Sequence, residues 1–204
     1  MKKVKIHWLL LDIGDVLLLK NQEHDFNKLL SHELNIDINL AKKINKEHYT
    51  TMDAKYLSEE KFIANLAKNL GYKAPKNIFS HFSRAYKNQV HPNTKLLNFL
   101  KKIRKSGIKT AILSNTIAIY KRRHQLAGIS KKSGFAPIIY SWEVEKLKPQ
   151  KDIFKLTLKK LNAQPNEIIF IDDKTSHLQS AKQIGIKTIQ FDNTDHVISQ
   201  IQSL

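Results

Sequence analysis

The sequence predicts an α/β fold: a mostly parallel sheet flanked by helices, with an all-helical domain inserted into it. Short apolar runs rich in β-branched residues alternate with amphipathic stretches of helical length, and this alternation is typical of βαβ crossovers. The first such run is followed by about seventy residues without a comparable run, which is too long for an ordinary crossover. The length of 204 residues suits one domain with an insertion better than two full domains.

The strands and helices of the sheet-containing domain follow from this alternation. Residues 4–11 are expected to form a buried strand that stops at Asp12. Gly107 and Gly185 each stand between a helix and the next strand, where they suit the left-handed conformation that ends a helix. After the insertion we expect strands at 109–113, 137–140, 168–171 and 188–191, and helices at 94–106, 117–126, 151–161, 175–184 and 194–203.

Residues 20–92 show helical periodicity and no convincing strand. Ser58 is suited to cap one of the helices in this segment, because its hydroxyl can accept a hydrogen bond from a free backbone N–H. The domain prediction is therefore a core of residues 1–19 and 93–204 with a helical cap of residues 20–92. The helices expected within the cap are 25–34, 40–48, 58–70 and 75–87.

Composition excludes several classes of protein. The absence of cysteine excludes disulfides, thiolate metal sites and a cysteine nucleophile. The longest apolar run, at residues 8–11, is far shorter than the roughly 20 residues that span a bilayer, so we expect a cytoplasmic protein with no membrane partner. Glycine-rich patterns of nucleotide-binding loops are absent as well, which disfavours P-loop and dinucleotide-binding enzymes.

The net charge of +17 has two interpretations. A basic surface could bind nucleic acid, but 31 of the 35 basic residues are lysines, and arginine is favoured for bidentate contacts with phosphates and bases. The lysines are also spread along the chain without one dominant block. We therefore favour a compositional bias, with lysines dispersed over solvated faces and no specific nucleic-acid partner.

Polar residues follow several of the predicted strands at the point where each strand ends. Ligands of an open parallel sheet bind outside the carboxyl ends of its strands, so these residues are candidates for a site. Carboxylates that meet there repel one another unless a cation lies between them, and Mg²⁺ prefers such oxygen ligands. The candidates are Asp12 and Gly14 after the first strand, Ser114 and Asn115 after the second, Lys148 in the loop after the third, and Asp172 and Asp173 after the fourth.

Four short motifs carry these residues: D-I-G-D-V at 12–16, L-S-N-T at 113–116, K-L-K-P at 146–149 and F-I-D-D-K-T-S-H at 170–177. In this order they resemble the four motifs of the haloacid dehalogenase (HAD) superfamily. The first is similar to the D-x-G-x-V motif of its helical-capped, sugar-phosphate phosphatase-like members. The resemblance implies a Rossmann-like parallel sheet flanked by helices, and a Mg²⁺-dependent phosphatase acting on a small phosphorylated metabolite.

The resemblance also implies a role for each candidate residue. Asp12 would be the nucleophile that forms an aspartyl-phosphate, and Ser114 and Lys148 would complete the catalytic set. The phosphoryl group would be bound by Ser114, Asn115 and Lys148. The ligands of Mg²⁺ would be the Asp12 and Asp173 carboxylates and the Gly14 carbonyl, and Asp172 would support this site without contacting the ion.

Two residues depart from the pattern and keep other interpretations open. Gly14 stands where most phosphatases of the superfamily have a second aspartate that acts as general acid and base. His177 stands where similar motifs often have asparagine or aspartate, and we assign it no catalytic role. One alternative is a non-catalytic relative that binds a phosphorylated ligand, a protein or nucleic acid. The other is a metal-independent haloacid dehalogenase, in which Asp12 would attack carbon.

Overall fold

The computed structural model describes residues 5–21, 25–53, 58–116 and 118–203. Its strands are β1 (Trp8–Leu11), β2 (Leu18–Lys20), β3 (Val90–Pro92), β4 (Lys109–Ser114), β5 (Phe135–Tyr140), β6 (Ile168–Asp172) and β7 (Lys187–Gln190). Its helices are α1 (Phe26–Leu34), α2 (Ile38–Asp53), α3 (Glu59–Leu70), α4 (Ile78–Gln89), α5 (Thr94–Lys105), α6 (Ala118–Leu126), α7 (Ser141–Val144), α8 (Lys151–Leu161), α9 (Thr175–Lys182) and α10 (Thr194–Gln202).

The main sheet has five strands in the order β5-β4-β1-β6-β7, and every neighbouring pair is parallel. The predicted fold class is therefore confirmed. In the central strand β1, Leu11 lies opposite Ile112 of β4 and Ile171 of β6. Because the strands are parallel, their carboxyl ends meet at one edge of the sheet. The residues that follow β1, β4 and β6 are thus brought to the same edge.

The chain divides into two compact units. One comprises Met1–Leu19, Pro92–Thr116 and His124–Leu204, and the other comprises Lys20–His91 together with Ile117–Arg123. Helical periodicity alone gave no reason to group 117–123 with the insertion. Two contacts join this segment to α4: the Tyr120 ring centroid lies 4.3 Å from that of Tyr86, and the Arg123 side chain donates to the Ser83 hydroxyl at 3.0 Å.

Each unit has its own apolar core. In the sheet-containing unit, buried side chains of β1, β4 and β6 pack against those of α8 and α9, with Phe154 and Phe170 in an edge-to-face contact. In the other unit, α1 to α4 enclose a cluster that includes Leu30, Phe62 and Phe82. Burial of these side chains is the main force that holds each unit together.

The expectation that 20–92 holds no strand is wrong at both ends of that segment. β2 and β3 are three-residue strands that pair with each other in a separate small sheet. Three residues are too few for an alternating pattern to be recognised in the sequence. The predicted cap of α3 is confirmed, because the Ser58 hydroxyl accepts a hydrogen bond from the Lys61 N–H at 3.3 Å. None of the helices in the described ranges has the length and apolar character needed to cross a membrane.

Candidate active site

The polar residues at the carboxyl edge of the sheet lie on its three central strands. Asp12 directly follows β1, and its N–H donates to the Ile171 carbonyl of β6 at 2.9 Å. Ser114 is the last residue of β4, and Asp172 is the last residue of β6. All three side chains are buried, whereas Asp173 is half-buried. Because β1 lies between β4 and β6, Asp12 occupies the middle of this row.

Lys148 links the first and fourth motifs. Its Nζ lies 2.8 Å from Asp12 Oδ1 and 2.6 Å from Asp172 Oδ2. Its side chain is fully enclosed, at 0% exposed. A buried ammonium is tolerated only when paired, and two carboxylates meet that condition.

The main chain of Lys148 is also held by hydrogen bonds. The Asn115 amide group donates to the Lys148 carbonyl at 2.8 Å and accepts from the Lys148 N–H at 2.9 Å. On the other side, the Ser180 hydroxyl donates to the Pro149 carbonyl. The Asn115 side chain is predicted to bind phosphate, but in the structure its amide group hydrogen-bonds to the main chain of Lys148 instead.

Asp172 accepts hydrogen bonds from three groups. Lys148 Nζ reaches Oδ2, the Lys174 N–H reaches Oδ1 at 2.9 Å, and His177 Nδ1 lies 3.0 Å from both oxygens. Burial acts to raise the pKa of Asp172, but the hydrogen bond from His177 and the charge of Lys148 outweigh it and lower the pKa to about 2. Asp172 is therefore an ionised group that accepts and does not donate.

The pKa values of Asp12 and Lys148 are both shifted by the buried cluster that these residues form with Asp172. Burial raises the pKa of Asp12, and the Asp172 charge adds to this effect although Lys148 opposes it. Burial acts to lower the pKa of Lys148, but the charges of Asp12 and Asp172 outweigh it and raise the pKa. Lys148 therefore remains an ammonium group at neutral pH.

Asp173 brings a further negative charge to this edge. Burial, together with the charges of Asp12, Asp172 and Asp15, raises the pKa of Asp173 to about 6. Carboxylate oxygens of Asp12, Asp172 and Asp173 lie within 4.8 Å of one another. Since Asp172 is already held by three donors, the oxygens of Asp12 and Asp173 are the better candidates for a cation. Hard oxygen ligands and crowded negative charge both fit Mg²⁺.

The loop after β1 keeps the region beside Asp12 open. Its turn closes through the Ile13 carbonyl, which accepts from the N–H groups of Leu17 and Leu18 at 2.9 and 2.8 Å. Gly14 is exposed, and a Cβ built on it would lie 4.0 Å from Asp12 Oδ2. Gly14 is thus placed next to the carboxylate with which it is predicted to share an ion.

Most of the predicted site residues lie close together, and the structure adds one contact, from His177, that the sequence does not predict. The sequence placed Asp12, Lys148, Asp172 and Asp173 at one edge, and the structure brings these four together. The motifs assign His177 no catalytic role, yet it lies in the first turn of α9 and its Nδ1 is hydrogen-bonded to Asp172. The spacing between Asp172 and His177 is the signal in the sequence that could indicate this contact, because a helix that starts just after a strand points its first turn at the strand end.

The sheet order and the site at its carboxyl edge define a Rossmann-like α/β protein. Within that class, the profile of the haloacid dehalogenase-like hydrolases matches residues 24–191, and the chain belongs to this family. The first motif, at 12–16, precedes the matched range. The relation inferred from the four motifs is thereby confirmed at the level of the family.

Three proteins illustrate the likeness. Bifunctional epoxide hydrolase 2 of Sus scrofa is 29% identical over 143 residues, which are 68% of this chain and 26% of that protein, so the chain spans about a quarter of that relative's length. A HAD-family enzyme of Bacteroides thetaiotaomicron, solved with magnesium and inorganic phosphate, is 20% identical with a TM-score of 0.75, covering 94% of this chain and 98% of that one. L-2-haloacid dehalogenase of Xanthobacter autotrophicus is 16% identical with a TM-score of 0.64, covering 97% and 83%. The two structures show the shared fold.

Proposed function

We propose that the protein is a Mg²⁺-dependent phosphatase that hydrolyses a small phosphorylated metabolite through an aspartyl-phosphate on Asp12. The observation that carries this proposal is the position of Asp12. It follows the central strand, is paired with a buried ammonium group and lies next to an acidic residue whose pKa is raised. A carboxylate in this setting can act as a nucleophile, and the charges around it suit a phosphoryl group.

The reaction uses Asp12 twice. In the first step a carboxylate oxygen of Asp12 bonds to phosphorus while the bond from phosphorus to the ester oxygen breaks, and the released alcohol takes a proton from water. In the second step water attacks phosphorus, phosphate leaves and the Asp12 carboxylate is restored. Lys148 keeps its proton throughout and offsets negative charge on Asp12 and on the phosphoryl oxygens.

The remaining site residues bind and orient the phosphoryl group. Ser114 ends the strand next to β1 and would donate its hydroxyl proton to a phosphoryl oxygen. Asn115 would contribute through its backbone N–H and through the Lys148 loop that its side chain holds. We assign residues 20–92 the role of a cap domain, as the resemblance implies.

Asp12, Asp173 and the Gly14 carbonyl would hold Mg²⁺. When bound, the ion neutralises negative charge on the attacking carboxylate and the phosphoryl oxygens. The raised pKa of Asp173, to about 6, supports a cation site, because the carboxylates around it repel one another without a positive charge between them. Magnesium and inorganic phosphate are bound by the HAD-family enzyme of B. thetaiotaomicron, which shares the fold.

The test is a panel of phosphate monoesters, from sugar phosphates to nucleotides, assayed for phosphate release with Mg²⁺ and with a chelator. We expect Mg²⁺-dependent release from at least one class of ester, and no release by Asp12→Asn. Asp152→Asn is the matched control, since this substitution removes an exposed carboxylate on α8. A 2-haloacid belongs in the same panel. Metal-independent halide release, or turnover of no ester by the wild-type protein, would contradict the proposal.

A further inference from the structure

His177 occupies a buried position in the first turn of α9, where it is 5% exposed. Its Nδ1 lies 3.0 Å from each oxygen of the Asp172 carboxylate, so that one ring nitrogen faces both oxygens. Each oxygen of Asp172 accepts from a further donor, Oδ1 from the Lys174 N–H at 2.9 Å and Oδ2 from Lys148 Nζ at 2.6 Å, as expected for a carboxylate that only accepts. The Nδ1 atom that faces this carboxylate therefore carries a proton and donates it to Asp172 in a hydrogen bond.

The Asp172 carboxylate in turn holds the ammonium group of Lys148. Its Oδ2 lies 2.6 Å from Lys148 Nζ, and that Nζ lies 2.8 Å from Asp12 Oδ1. The Lys174 N–H fixes only Oδ1. Without the imidazole, Oδ2 would be held by Lys148 alone, so the carboxylate would be less restricted and could shift Lys148 relative to Asp12.

A second contact on the same helix face supports this arrangement. Ser180 stands three residues after His177, and residues at this spacing share one face of a helix. Its hydroxyl donates to the carbonyl of Pro149, the residue next to Lys148. One face of α9 therefore holds the loop of Lys148 through Ser180 and its side chain through His177 and Asp172.

We propose that His177 is a positioning residue: its Nδ1–H orients the Asp172 carboxylate, which places the Lys148 ammonium on Asp12. The inference rests on the phosphatase function proposed above. His177 makes no contact with substrate in this account, and its effect reaches the reacting atoms only through Asp172 and Lys148. It extends the site by one residue beyond the set that the sequence indicated.

Two substitutions separate the hydrogen bond from the bulk of the ring. In asparagine, Nδ2 is separated from Cβ by the same number of bonds as Nδ1 in histidine, so His177→Asn retains a donor near the same point. In leucine a methyl group takes that place, so His177→Leu keeps a similar branched shape without the donor. A purely structural role would not distinguish these two variants in catalysis once both are folded.

The kinetic test uses the phosphate ester turned over fastest by the wild-type protein. We expect kcat of His177→Leu to fall about 10- to 100-fold, as is usual when a residue that orients a catalytic group is lost, while KM is unchanged. His177→Asn should keep kcat within a few-fold of the wild type. His124→Leu is the matched control, because it removes another buried imidazole of the sheet-containing unit. Equal kcat values for the Asn and Leu variants would overturn the proposal.

Nuclear magnetic resonance tests the positioning role of His177 independently of activity. In wild-type protein with isotope-labelled histidine, the His177 proton should reside on Nδ1, and this resonance should shift in Asp172→Asn. In protein with labelled lysine, a slowly exchanging Lys148 ammonium signal, assigned by its loss in Lys148→Met, should persist in His177→Asn and be lost in His177→Leu. A proton found on Nε2 alone, or an unchanged Lys148 signal in His177→Leu, would overturn the proposal. If the wild-type protein turns over no ester, the phosphatase proposal fails and these spectra alone decide the role of His177.

Discussion

Gly14 lies beside the proposed nucleophile and leaves space there. A Cβ built on Gly14 meets no atom closer than Asp12 Oδ2, at 4.0 Å, which is an ordinary contact distance. The position is the one at which the resembled phosphatases carry an acid–base aspartate. A Cβ added there would therefore displace no neighbour. The chain therefore has room for the group that its first motif lacks.

We expect Gly14→Asp to raise kcat for phosphate ester hydrolysis. An acid–base group adds roughly 10²–10⁴-fold when ideally placed, and an aspartate introduced without further adjustment should give about tenfold. Gly14→Asn is the control, since it has the same size but cannot exchange a proton. The measurement is kcat at saturating ester and Mg²⁺. Equal kcat values for the two variants would show that the added carboxylate is not positioned to transfer a proton.

The strands and their ends are predictable from the sequence because apolar runs and parallel pairing follow simple rules. Gly107 and Gly185 adopt φ values of +92° and +87° after α5 and α9, as their places between helix and strand predicted. The short helix α7 and the strands β2 and β3 were not predicted, since three or four residues carry no period. The Asn115 and His177 contacts depend on side-chain directions across the fold, which a linear pattern does not contain.

The helix α2 carries a buried histidine that makes one unit sensitive to acid. His48 is 3% exposed, and its ring lies 4.4 Å from that of Phe82 and 5.9 Å from that of Phe62. Burial lowers the pKa of His48 from 6.5 to about 3. Between these pH values the unfolded chain binds a proton that the folded chain does not, so the free energy of unfolding decreases as the pH falls below about 6.5.

His48→Phe should remove this part of the acid sensitivity. At pH 5 the loss of stability due to His48 amounts to about 2 kcal/mol, so the variant should lose less stability than the wild type between pH 7.5 and pH 5. Urea unfolding at the two pH values measures the difference. His91→Phe, at an exposed position, should behave as the wild type does. Parallel pH profiles for wild type and His48→Phe would contradict the assignment.

The net charge of +17 and the charged cluster of the site are separate features of the molecule. Exposed lysines occur on helices of both units, such as Lys42 on α2, Lys68 on α3, Lys101 on α5 and Lys155 on α8. Among the lysines that the structure describes, Lys148 is the one that is buried. This distribution fits solvated surface charge, which keeps a protein soluble and draws anions toward it.

The proposed mechanism requires that Asp12 becomes phosphorylated during turnover. The most direct measurement mixes enzyme, Mg²⁺ and a turned-over ester, stops the reaction with acid within one turnover, and maps the modified peptide by mass spectrometry. We expect a phosphoryl group on Asp12 that disappears on treatment with hydroxylamine, as an acyl-phosphate does, and that is absent from Asp12→Asn. Hydrolysis of the ester with Asp12 unmodified, or turnover retained by Asp12→Asn, would contradict this mechanism.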